Sequence, residues 1–322
     1  MLKSRASGDD ELFYSIALQV AASEARQGRK TTATEIRKAV QDARGDGSQS
    51  QGVAIPFGTP KGDLADLLEL RKPRFKLGEV VLSDSIRERL QELIREQLKR
   101  DWLREHGKIP NKRILFVGPP GSGKTMTAEA LARQLNIPLY VIRLESLITR
   151  FMGETAAKVR LVFDEISRRR GVYLFDEFDA VGGDRAATND VAEMRRVLNT
   201  FLQLMEEENT TDSLVVGATN HPALLDSALL RRFDLVLEFS PPNPDQVKAL
   251  IKSNIRPMKY PNIAWKKVCA AAENLSQSEI VRAVEDAVKA AILDERNRVT
   301  TEDLTRRLND RNSMREAFRQ RQ

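Results

Sequence analysis

Residues 118–125 read Gly118-Pro119-Pro120-Gly121-Ser122-Gly123-Lys124-Thr125. They follow the apolar run RILFV and precede MTAEALARQL, an amphipathic stretch at helical spacing. Glycines, a lysine and a hydroxyl in this order, between a strand and a helix, make an anion cradle. The glycines let successive backbone N–H groups turn inward, and the helix N-terminus adds partial positive charge. The expected ligand is a nucleoside triphosphate, ATP, with Mg²⁺. Lys124 would bridge the β- and γ-phosphates, Thr125 would ligate the metal, and Met126 closes the binding segment. Further on, the run VYLF ends in Asp176-Glu177. Carboxylates at the C-terminal edge of a parallel strand border the crevice where ligands bind. Asp176 is expected to hold Mg²⁺ through water, and Glu177 to polarise the attacking water. Asp179 lies one step into a loop and reads equally well as a cap or a surface acid.

These groups need a scaffold, and the apolar pattern supplies one. Short apolar runs at 113–118, 139–144, 171–176, 213–220 and 235–240 alternate with longer amphipathic segments. That alternation predicts βαβ units: a parallel sheet with helices on both faces, spanning 75–240. After Pro241-Pro242 strand signals stop. Residues 241–308 read as a small all-α lid, and 309–322 as a basic C-terminal tail. Ahead of the sheet, residues 1–44 read as a short α-helical hairpin. Its first helix carries Leu12, Phe13, Ile16 and Val20 on one face, and Thr32-Ala33-Thr34-Glu35 looks like a capping box opening the second. Residues 45–74 form a flexible linker with a short helix at about 63–71. The hairpin has little core of its own and is expected to recruit a protein substrate or adaptor.

Bulk properties narrow the function classes. The chain has 322 residues and a net charge of +6, with basic and acidic residues interleaved along the helices. Basic balance can indicate nucleic acid, but no helix-turn-helix or aromatic-basic platform accompanies it. No apolar run approaches the roughly 20 residues of a membrane helix. The N-terminus does not read as a secretory signal. The one cysteine, Cys269, excludes an intrachain disulfide and fits a reducing, cytoplasmic setting. Its place in KKVCAAAENL predicts a buried small hydrophobe. The two histidines, His106 and His221, have no metal-ligand neighbours in sequence.

The motif set resembles the AAA+ ATPases, nearest to the AAA branch that includes katanin-like, endosomal-sorting and membrane-anchored protease modules. The resemblance covers about 75–308. GPPGSGKT and VYLFDE are its first two motifs. SLVVGATNHP is similar to the family's sensor-1 strand, which implies that Asn220 orients the attacking water. LLDSALLRRFD resembles the segment ending in an arginine finger. That resemblance implies Arg232, with Arg231 as second candidate, acting in trans on a neighbouring subunit's γ-phosphate. SLITRFMGETAAKVRLVF is similar to the first pore loop, so Phe151, Met152 and Gly153 would project into a central channel and grip an extended chain. GGDRAAT at 182–188 stands where a second pore loop could lie.

The sequence also departs from the family pattern. Ser276, Gln277 and Ser278 stand where the family has small residues beside the nucleotide. Glu279 takes the place at which other branches carry a sensor-2 arginine, and Arg282, a turn on, reads as an ordinary surface residue. Leu235 replaces a second finger. Val80 and Val81 are candidates for the adenine pocket. The resemblance implies a homo-oligomeric, hexameric ring that unfolds, remodels or disassembles proteins. Two other readings stand beside it: a motor for a separately encoded protease or nuclease, and a nucleic-acid loader. The chain itself has no His-Glu-x-x-His and no Gly-x-Ser-x-Gly.

Overall fold

The computed structural model describes residues 60, 62–147, 154–177, 200–207, 209, 211–221 and 230–319. The chain divides into two compact units, Met1–Phe57 and Gly58–Gln322, and the description concerns the second. The expected hairpin at 1–44, the triplet Phe151-Met152-Gly153 and the 182–188 loop lie outside the described residues.

Five runs become strands: β2 (Arg113–Val117), β3 (Leu139–Ile142), β4 (Val172–Phe175), β5 (Leu214–Thr219) and β6 (Leu235–Glu238). With β1 (Leu68–Arg71) they form one sheet of order β1-β3-β4-β5-β2-β6. Neighbours pair in parallel except β1, which runs antiparallel to β3. Successive residues face opposite sides, as strand pleating requires. Leu115, Val117, Tyr140, Tyr173 and Phe175 enter one apolar layer with helix α6 (Glu154–Arg168). Ile114, Phe116, Val141, Leu174 and Val216 enter the other, under α2 (Asp84–Leu98) and α4 (Lys124–Leu135). Because both faces are covered, the central strands are apolar throughout, which is why their runs do not alternate.

The expected helix over 63–71 is only half right. It stops after α1 (Asp63–Leu67), and Leu68–Arg71 becomes β1. Leu68 and Leu70 sit opposite Ile142 and Tyr140, so an open sheet edge gains a ladder that outweighs the helical spacing of the leucines. Two short helices complete this part of the chain: α3 (Arg100–Glu105), with no buried residue, and α5 (Leu144–Leu147), whose Leu144 and Leu147 enter the core with α6. Beside the starts of β2 and β5, the buried Asp212 meets Arg104 at 2.5 Å and Lys112 at 3.0 Å. Burial would raise its pKa, but these cations outweigh burial and lower it.

Beyond the sheet, α7 (Pro244–Asn254), α8 (Trp265–Ala271), α9 (Gln277–Leu293) and α10 (Thr301–Arg319) enclose a separate core around Ile251, Val268, Ile280, Val284 and Leu304. The final helix runs to Arg319, so most of the segment expected as a tail continues it. Arg311 donates to Asp286 at 2.6 Å and Asn312 to the Ala271 carbonyl at 2.9 Å, which docks this extension. Cys269 is half-buried rather than buried, and desolvation raises its thiol pKa.

Asp303 ties the start of α10 down. It accepts from Arg296 Nη1 at 2.7 Å and from the Thr300 N–H at 2.9 Å. The arginine above all holds its carboxyl down to about 2. A carboxyl with depressed folded pKa stabilises the fold above its unfolded value, about 3.9, and loses that contribution as pH falls through its folded pKa. Asp303→Asn should therefore cost roughly 1–2 kcal/mol at neutral pH after solvent screening. Thermal unfolding should show that loss near pH 7 and a convergence with wild type toward pH 2. An equal gap at both pH values would refute the linkage.

Candidate functional site

The phosphate loop leaves β2 at Gly118 and enters α4 at Lys124. Two glycines are obligatory here. A Cβ on Gly118 would stand 2.3 Å from the Phe239 carbonyl oxygen, and one on Gly121, with φ +73°, only 2.1 Å from Ser278 Oγ. Gly123 adopts φ +94° at the helix N-cap, a left-handed conformation that side chains resist. Lys124 is buried, and its ammonium donates to Gly118 O at 2.7 Å, Pro119 O at 3.0 Å and Asn220 Oδ1 at 2.8 Å. Ser122 Oγ is buried without a hydrogen-bond partner in the loop. A buried ammonium and an orphaned hydroxyl in a glycine cradle fit an anion with several oxygens.

Sheet order brings the other groups alongside. β5 lies between β2 and β4, so the C-terminal ends of all three strands meet. Asn220 follows β5, and Asp176 and Glu177 follow β4. Thr125 Oγ1 donates to Asp176 Oδ2 at 2.7 Å. A hydroxyl and a carboxylate are the hard oxygen donors that Mg²⁺ takes while keeping most of its waters. Among the described residues no group of three or more His, Cys, Asp or Glu is placed to hold a metal ion. Bound there, Mg²⁺ would neutralise charge on the β- and γ-oxygens. The Glu177 N–H donates to Asp176 Oδ1 at 3.0 Å, so Asp176 is fixed from both sides. Glu177 itself is exposed, with φ +51°. It lines the same cavity as Lys124, Thr125 and Asp176.

A cavity of about 1410 Å³ joins these groups to the lid. Its phosphate end holds Gly121–Thr125, Asp176, Glu177 and Asn220. Phe75, Val81, Met126, Leu250 and Val281 add apolar surface to its wall. Of the two valines read as adenine-pocket candidates, Val81 lines the cavity, whereas Val80 is buried in the core beneath α2. Arg282 is exposed, as its reading as a surface residue expects, and it also lines this cavity, as do Arg74 and Arg256, which sequence reasoning missed. No local motif marks them: Arg256 and Arg282 come from the lid, and Arg74 from the connection after β1. Glu279 serves as a cap, its carboxylate accepting from Ser276 N at 2.7 Å.

Arg232 is elsewhere. It does not line the cavity, and its Nε lies 2.8 Å from Glu206 Oε1. Phe233 is buried, and Asp234 accepts from the backbone N–H groups of Lys112 and Arg113, both at 2.9 Å. The segment that carries Arg232 is thereby pinned to the start of β2, while the phosphate loop leaves its end.

Comparisons with known proteins agree with this chemistry. The family model described as "ATPase family associated with various cellular activities (AAA)" matches residues 114–241. An uncharacterized AAA family ATPase of Sinorhizobium fredii is 34% identical over 94% of this chain and 91% of its own length. A proteasome-activating nucleotidase of Methanococcus vannielii is 33% identical over 72% of the chain and 59% of its length. An ATP-dependent zinc metalloprotease FtsH of Lancefieldella parvula is 31% identical over 84% of the chain and 44% of its length. The chain thus spans well under two thirds of the last two relatives. Among the described residues no helix is long and apolar enough to cross a membrane. With a family match over residues 114–241 and a relative 34% identical over 94% of it, the chain belongs to the AAA family of ATPases, an ATP hydrolase that uses Mg²⁺.

Proposed function

We propose that this ATPase works as a homo-oligomeric ring, a hexamer, in which each hydrolytic site is shared by two subunits. The observation that carries this is the place of Arg232. It belongs to the segment fixed at the N-terminal end of β2, where Asp234 N donates to Arg113 O at 2.8 Å. The phosphate loop begins after Val117. Four strand steps of about 3.3 Å put roughly 13 Å between these two ends. A guanidinium at one edge of the sheet cannot serve a γ-phosphate at the other edge of the same sheet. Placed against a neighbour's cavity it can, and heterologous contacts of this kind close into rings.

In this reading Lys124, Thr125, Asp176, Glu177 and Asn220 come from one subunit, and Arg232 comes from the next. ATP hydrolysis drives unfolding, remodelling or disassembly of a protein chain through the central pore. Phe151 and Met152 grip that chain and the hairpin at 1–44 recruits it, in a cytoplasmic setting. The nucleotidase and metalloprotease relatives support a protein substrate. Sedimentation with ATP should show the ring. Phe151→Ala should keep basal ATPase within about twofold, because the residue is outside the hydrolytic groups, yet abolish work on an unfoldable reporter. Undiminished unfolding by that variant would remove the threading step from this account.

A second reading has specific support. Both named relatives are tied to proteolysis by their names, while these 322 residues contain no His-Glu-x-x-His. A motor serving a separately encoded protease fits that combination, and stoichiometric co-purification of a hydrolase would favour it. ATPase stimulation by DNA or RNA that collapses with salt would instead point to the nucleic-acid reading.

A further inference from the structure

Positive charge collects at the edge of the sheet opposite the phosphate loop. The starts of β4, β5 and β2 lie side by side there, because β5 stands between the other two and all three run parallel. Arg170 precedes β4, Asp212 precedes β5 and Lys112 precedes β2, while α3 adds Arg100 and Arg104. The buried Asp212 is their shared partner: Arg104 Nη2 stands 2.5 Å from its carboxylate, Lys112 Nζ 3.0 Å and Arg100 Nε 3.5 Å. Asp101, mostly exposed, lies 3.5 Å from Arg104 and 3.9 Å from Arg100. Four cations, Arg170 included, thus share two carboxylates, which leaves an excess of two positive charges. Arg170 has no share in these contacts. It is half-buried, its Nε is shut off from solvent without a hydrogen-bond partner, and it forms no ion pair among the described residues. Burial first, and then the neighbouring Arg100, hold its pKa below the usual arginine value. A shielded guanidinium donor with no acceptor is costly, and the groups around it are mostly of its own sign.

We propose that this cluster is a second anion site, binding inorganic phosphate on the guanidinium groups of Arg170, Arg100 and Arg104. The chemistry selects the ligand. Guanidinium forks meet tetrahedral oxyanions two bonds at a time. Phosphate as the dianion offsets the excess of two charges, whereas one carboxylate offsets half of it. Donors are available: Arg170 offers its full set of five N–H groups, and Arg100 donates one hydrogen bond, from Nη1 to Gln97 O at 3.3 Å. ATP hydrolysis releases this ligand at the other edge of the same sheet. Bound between α3 and the start of β4, phosphate ties the two together and relieves the repulsion among the arginines.

The test titrates the full chain with potassium phosphate in a calorimeter, against potassium chloride and potassium acetate at equal ionic strength. Lys124→Ala is the background, because it removes the ammonium of the phosphate loop and so the competing site. Phosphate should still bind this protein, and adding Arg170→Gln should weaken that binding about 10- to 100-fold, the scale of lost hydrogen bonds to a charged group. Arg100→Gln, a change on the surface helix α3, should weaken it in the same direction and provides a second variant where the first fails to fold. Melts supply a readout that a merely structural role would not move. Without phosphate, adding Arg170→Gln should leave the Tm equal or higher, because a crowded cation is gone. With phosphate the order should reverse. Phosphate binding abolished by Lys124→Ala alone would assign all of it to the ATP loop and overturn the proposal. So would an affinity changed less than twofold by both glutamine variants, a Tm order that ignores phosphate, or acetate binding as tightly as phosphate.

Discussion

Glu177→Gln should bind ATP with wild-type affinity and hydrolyse it about 10²- to 10³-fold more slowly, the contribution typical of a general base. The substitution keeps size and hydrogen-bonding reach but removes the ability to accept a proton. It should not disturb the metal side of the site. Asp176 takes its hydrogen bonds from Thr125 Oγ1 and from the backbone N–H of residue 177, and both survive the change. Loss of about 2.7–4 kcal/mol of transition-state stabilisation should appear in kcat alone. Asp176→Asn provides the contrast: there the Mg²⁺ dependence of binding should shift. Single-turnover hydrolysis with ATP binding measured in parallel separates the two. A Glu177→Gln enzyme retaining more than a tenth of wild-type kcat would mean that another group activates the water.

Much of this site is legible in the chain because its parts are local. Gly118–Thr125 and Asp176-Glu177 each lie at the end of an apolar run, and buried parallel strands announce themselves as such runs. The sheet places the three strand ends together without further instruction. What could not be read depends on distant partners. Leu64, Leu67, Leu68 and Leu70 satisfy a helical stripe, yet the last two join β3, some 70 residues later, because an unpaired edge was available. Arg282 reads as a surface residue from its own helix, and it is exposed. Its presence in the nucleotide cavity is decided by how α9 docks on the phosphate loop, through Ser278 and Gly121. Gln277 is similar: its neighbours in sequence say only that a helix begins, and the Val81 carbonyl it reaches is 196 residues away. Glu279 shows the reverse case. A position at which a functional arginine was in question is occupied by half of a capping box, a local structural role.

Arg232→Ala should bind ATP normally and lose about 10³-fold or more of turnover, the scale of an arginine finger. Folding cannot account for such a loss. The contact with Glu206 joins two partly exposed side chains, and pairs of this type contribute about 0–1 kcal/mol. Phe233 and Asp234, which anchor the segment, are untouched. The decisive measurement is a mixture. Lys124→Ala subunits cannot hold the triphosphate but carry an intact Arg232, while Arg232→Ala subunits hold ATP but lack the finger. Each preparation alone should be nearly inactive. Mixed one to one, about a quarter of the subunit contacts in a ring would pair an ATP-holding site with an intact finger. ATPase activity should then return toward that fraction of wild type. Arg231→Ala, altering the more exposed neighbour, should leave a larger residual activity than Arg232→Ala. If the mixture stays as inactive as its components while rings still form, Arg232 does not act across the subunit boundary. Because roughly 13 Å of strand separates it from its own phosphate loop, it would then have no route to the reaction at all.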